Sequence, residues 1–231
     1  TGTIEAGELL TPPMVTRLTN AGVQLVVLRS PLYCRMPRGI CARCFGKNER
    51  GQHHAVGTNV GILAGHALGE PITQLTMKAF HSGGASGSGA AVVDSFQRVK
   101  QLFDLPEMLP DAAALAEVSG TVEKIVHEPA IGHIVTVAGR EHRVVTGRPL
   151  DHVRVGSDVR RGDPLSTGPI NPHDLLTQTR SIGRVRDYMT NELMQKDLYG
   201  GLGVRRRNVE TVIRGMTNLS EVVDAPPHSP F

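Results

Sequence analysis

The 231 residues allow one or two domains, and 39% apolar content permits a core, but only 3% is aromatic and Trp is absent, which is thin for one compact globule. Lys and Arg (25) nearly balance Asp and Glu (22), giving a net charge of +3, where a free-standing nucleic-acid binder would be more basic. No apolar run is long enough to span a bilayer, and no stretch reads as a signal peptide. The chain opens on Thr1, in mid-pattern, as expected of a fragment or a processed product.

In chain order, Thr11 is a candidate N-cap, with Pro12 and Pro13 in the first turn of a short helix. Met14, Val15 and Leu18 give that helix an apolar face, and Asn20-Ala21-Gly22 ends it. Gln24 to Leu28 (QLVVL) predicts a strand of the buried type. Cys34, Cys41 and Cys44 follow, and two thiolates in a C-x-x-C can grip one tetrahedral zinc. Gly39 and Gly46 permit tight turns around them. Clustered thiols suit a metal better than a disulfide framework and predict a reducing, cytoplasm-like compartment. A structural zinc wants four ligands, so one is missing, and His53 or His54 could fill the place.

Thr58 to Leu68 is a small-residue apolar segment suited to a packed helix. Pro71 predicts a helix start, since the first helical position needs no N–H. Leu68, Ile72, Leu75 and Ala79 form an apolar stripe, while Gln74, Met77, Lys78 and His81 recur at i, i+3, i+4 and i+7 on another face. A loop with Gly83, Gly84, Gly87 and Gly89 comes next, and Asp94 with Gln97 predicts the capping box of a second helix. Val92, Phe96, Val99 and Phe103 line one face of it. A chemically equipped helix that ends in an unanchored glycine loop suggests a part that folds and unfolds against a ligand.

From Leu115 to Ile170 the pattern switches to period two, with short strands marked by Val118, Val122 and Ile125–Val126, by Ile134–Val137 and by Arg143–Val145, and further hairpins to Leu165. Asp174 suits the N-terminus of a following helix. Ile182, Val185, Tyr188 and Met189 continue one helical face. Arg205-Arg206-Arg207 reads as a solvated patch or a phosphate contact ahead of a last helix from Asn208 to Met216, and the tail to Phe231 reads as disordered.

The run LGEPITQLTMKAFHSGG, Leu68 to Gly84, closely resembles the trigger loop of the largest catalytic subunit (β′) of multisubunit RNA polymerases. LAEVSGTV, GDPLSTGPINPHDLL and the Cys segment resemble the same subunit, and the resemblance covers most of the chain. It implies an α+β fold in segments: a helix–strand unit with the Cys cluster (1–56), a trigger-loop helical hairpin (57–114), a small barrel-sandwich β module (115–170), and C-terminal helices with a tail (171–231). It also implies that the hairpin closes over the incoming nucleotide. Gln74 would then bond the ribose, Met77 would pack on the base, Lys78 would meet the triphosphate and His81 would sit near the β-phosphate. His81 would act as a general acid or as a positional donor. The family usually has Arg at 78, Gln at 66 and Ser at 67; here Lys78, His66 and Ala67 stand. Lys keeps the charge but lacks the planar fork of Arg, and His66 is expected to pack or hydrogen-bond rather than ligate.

By the same resemblance, Zn²⁺ is held by Cys34, Cys41 and Cys44 with a fourth ligand from another chain, and Mg²⁺ is held by an aspartate triad on other subunits, since no Asp-x-Asp-x-Asp occurs here. The partners implied are the other polymerase subunits (the N-terminal β′ portion and β), template DNA, the RNA transcript and nucleoside triphosphates, with no membrane. The expected place is the cytoplasm, of a host cell if the chain is a split phage-type subunit, with packaging in a virion as a further option. Two other readings remain open. One is a polymerase mimic that docks on a host enzyme and inhibits it. The other is a lipoyl-like carrier, which is disfavoured because Lys124, the only Lys in the strands, sits at no hairpin tip.

Overall fold

A computed structural model describes residues 4–81, 88–129, 131–145 and 147–219, and gives backbone alone for 74–81 and 88–94. Helices α1 (Pro12–Asn20), α2 (Ala42–Phe45), α3 (Val60–His81) and α4 (Ser88–Asp104) precede strands β1 (Gly120–Glu128), β2 (Gly132–Val137), β3 (Arg140–Val144) and β4 (Asp158–Val159). Helices α5 (Pro172–Thr179), α6 (Ile182–Leu193) and α7 (Arg206–Met216) follow. The class is α+β, with mixed helices and an antiparallel sheet.

The sheet has the order β3-β2-β1-β4, and its named pairings are antiparallel. Alternation puts Val122, Val135, Val137 and Val144 on one face, where they pack with Val159 and Leu165. Ala138 (φ 46) and Gly139 (φ 76) make the two-residue turn from β2 to β3, and both take the positive φ that matches strand twist. Gly132 is required: a Cβ there would lie 2.3 Å from the Val144 carbonyl oxygen. His142, on β3, is buried; its Nε2 accepts from the Glu117 N–H (2.9 Å), which leaves Nδ1 to donate to the Val135 carbonyl (3.3 Å).

The helices share a second core. Val185, Met189 and Leu193 recur at i, i+4 and i+8 on α6 and meet Val209 and Ile213 of α7, Leu102 of α4 and Leu68 of α3. Ser181 caps α6, its hydroxyl accepting from the Arg184 N–H at 3.4 Å. Asn171 caps α5 in the same way, accepting from His173 N–H at 2.9 Å, with Asp174 in the first turn as expected. Ile182, expected on the apolar face of α6, is exposed, so that face starts at Val185.

Four further expectations are corrected. Pro71 does not open a helix; it lies inside the 22-residue α3, which Asn59 caps by accepting from the Ile62 N–H (3.0 Å). Pro costs about 3 kcal/mol in a helix interior, but α3 is packed along α7 and buries Ala64 and Leu68, so tertiary contact overrides local preference. Asp94 does not cap the second helix either, because α4 starts at Ser88 and takes in Gly89, expected in the loop. His66 is exposed, lying about 200° around α3 from buried Ala64. Gln24–Leu28 forms no strand among the described residues, because no other described segment pairs with it. Gly83, Gly84 and Gly87 and most of the C-terminal tail lie outside the described residues.

Candidate functional site

The three cysteines, brought together by a turn at Gly39 (φ 70) and the short helix α2, place their Sγ atoms within 4.8 Å of one another. Tetrahedral zinc, with Zn–S near 2.3 Å, sets its sulfurs about 3.8 Å apart, so the set fits such an ion with little adjustment. The Cys41 N–H points at Cys34 Sγ (3.3 Å), an arrangement that favours a thiolate. Burial opposes ionisation of Cys34, but N–H groups of Cys41 and Met36 and the neighbouring thiols outweigh it and hold its pKa below the usual thiol value. Burial pushes Cys44 up to about 11, aided by its contacts with Cys41 and Cys34 and opposed by Arg29. Among the described residues no carboxylate or imidazole joins the group, and His53 and His54 stand apart from it. His54 instead meets the edge of the Phe45 ring at 5.1 Å.

What holds this segment is the far end of the chain. Arg214 on α7 donates to three carbonyls around Cys34: Pro31 (2.8 Å), Cys34 (2.6 Å) and Met36 (2.8 Å). Arg207 donates to the Lys47 carbonyl and lies over the Phe45 ring, 4.9 Å from its centre. Arg205 pairs with Glu49, and Arg206 with Glu210 at 2.8 Å. Glu210 in turn accepts from the Ser30 hydroxyl (2.8 Å). Arg205 and Arg206 are exposed, as the solvated-patch reading expects, whereas Arg207 is half-buried and, with Arg214, clamps the Cys segment. The signal was in the sequence: Arg206, Arg207, Glu210 and Arg214 are spaced so that they share one side of a helix.

The second feature is the distal end of α3. Gln74, Met77, Lys78 and His81 are consecutive positions on one side of a continuous helical backbone, spread over about 10 Å at 1.5 Å per residue. Their side chains are not among those described. The proximal half of α3 is anchored through Ala64 and Leu68. Helix α4, which follows, is fixed at its C-terminal half: Val99 and Leu102 are buried, and Arg98 binds Glu192 (2.9 Å) and the Tyr188 hydroxyl. That hydroxyl reaches the Ile170 carbonyl (3.1 Å), tying α4 to the junction between sheet and helices. Both helices are thus held at the ends remote from the glycine segment that joins them.

A family model described as RNA polymerase Rpb1, domain 5, matches residues 51–228. The DNA-directed RNA polymerase subunit beta' of Finegoldia magna is 34% identical over 227 residues, which cover 96% of this chain and 18% of that protein. The same subunit of Mycoplasma genitalium is 34% identical over 228 residues (96% and 17%), and that of Malacoplasma penetrans is 32% identical over 230 (95% and 18%). The chain thus spans less than a fifth of the length of these curated relatives.

Proposed function

The chain belongs to the RNA polymerase Rpb1 domain 5 family, and on that premise we propose that it is the trigger-loop part of β′ in a multisubunit DNA-dependent RNA polymerase. The observation that carries the reading is α3 itself, one helix with an anchored base and, at its far end, an amide, a thioether, a cation and an imidazole on one side. Phosphoryl transfer asks a protein mainly to position groups and to offset charge. In the closed hairpin Gln74 bonds the ribose, Met77 packs on the base, Lys78 meets the triphosphate, and His81 sits at the β-phosphate. His81 can donate a proton to the departing pyrophosphate, or act only as a positional donor. The sequence around Gly83, Gly84 and Gly87 joins the two helices, and Gly89 lies in the first turn of α4.

The three thiolates hold Zn²⁺ with a fourth ligand from another chain, and the ion cross-links the segment. Mg²⁺ belongs to partner subunits, which also carry the template and transcript. Segments 1–56, 57–114, 115–170 and 171–231 act as the working units of this assembly. The setting is the cytoplasm, and among the described residues no helix is long and apolar enough to cross a membrane.

Single-nucleotide addition by the assembled enzyme tests the reading. His81→Ala is expected to slow it at least about tenfold, toward the ~10²–10⁴ of a lost general acid. Lys78→Ala should raise the apparent nucleotide KM. Unchanged kinetics in both variants would remove the hairpin from the reaction.

A further inference from the structure

Residues 23–28, apolar except for Gln24, lie outside any helix, strand or turn and are uncovered. Leu25 is 84% exposed, Val27 93% and Leu28 65%, and no backbone partner occurs for residues 24–29 among the described residues. The segment is not a loose end. At its start the Val23 N–H is held by the Leu18 carbonyl (3.0 Å), and just past its end Ser30 is bonded to Glu210 and Pro31 to Arg214. A stretch fixed at both ends, with N–H and C=O groups that no described backbone group pairs, offers an edge to which a strand can add. Water satisfies these groups while the segment is exposed, but another extended backbone would satisfy both sets and, with its own packed layer, would also cover the apolar side chains.

The position selects the occupant. Leu28 lies six residues before Cys34, so the stretch leads into a cysteine cluster that is one ligand short of a structural zinc set. The relatives are more than five times as long as the matched region, so a β′ polypeptide has ample chain outside it. Resting on the function proposed above, we infer that residues 24–28 accept a β-strand from the part of β′ outside this chain, laid so that it continues to the Cys cluster.

Amide hydrogen exchange on the chain alone and within its assembled polymerase tests this. Amides of 24–28 should exchange freely in the isolated chain and at least about a hundredfold more slowly in the assembly. Paired strands use alternate N–H groups on each edge. One of Val26→Pro and Val27→Pro should therefore weaken co-purification of the outer β′ portion at least about tenfold, whereas Val27→Thr should not. Circular dichroism of each isolated variant, unchanged from the parent, excludes misfolding. Equal exchange in both states within a complex that forms would overturn the inference and leave the function reading standing. Protection already present in the isolated chain, from its own tail or from a second copy, would also overturn it. Failure to associate with polymerase subunits at all would sink both.

Discussion

The sheet draws its core from Ala116 to Leu165, one continuous stretch, whereas the helical core joins Leu32 to Ile213 across nearly the whole chain. The metal-type cluster belongs to the second kind. Cys34 and its neighbours are fixed by Arg214, some 180 residues later in sequence, and α3, which bears the proposed nucleotide-facing residues, packs on the same helix α7. Local pairing builds a sheet that needs little from the rest of the chain. The Cys cluster and α3 instead draw on α7, far along the sequence.

That contrast can be broken most forcefully in the cores. Leu193→Ala and Leu165→Ala each truncate a fully buried leucine and should each cost about 2–5 kcal/mol in urea unfolding. Zinc content should fall only with Leu193→Ala; equal loss in both variants would dissolve the distinction. Arg214→Met should follow. It strips the guanidinium from three carbonyls and should weaken zinc binding about 10–100-fold in competition with a chelator, the range seen when outer-shell partners of a metal site are removed. Retained affinity would mean that the Cys turn is stable without its clamp. The smallest effect should come from Arg140→Gln, which removes an exposed pairing with Glu117 beside the sheet. Thermal unfolding should shift by no more than ~1 kcal/mol in stability, and a larger loss would show that the sheet, too, leans on a single contact.

The same contrast explains what was legible in the sequence. Helix α1, the hairpin of β1 to β3 and the spacing of the cysteines are local patterns, and they were readable as such. Pro71 misled because a proline reads as a boundary until packing on α7 is known. Gln24–Leu28 carries a strand pattern without a strand, since pairing depends on a partner and not on the segment's own residues. Arg205-Arg206-Arg207 reads as a charged run, while the roles of Arg207 and Arg214 come from carbonyls far earlier in the chain. Gln74, Met77, Lys78 and His81 were identified by resemblance together with helical spacing. The structure adds the unbroken backbone that sets them on one side.

The most direct test is a map of the assembled polymerase with a non-reactive nucleoside triphosphate bound. We expect the 74–81 turns of α3 to lie against the nucleotide, with Lys78 and His81 within contact distance of its phosphates. A map with that part of α3 turned away, remote from the nucleotide and the RNA end, would contradict the proposed role.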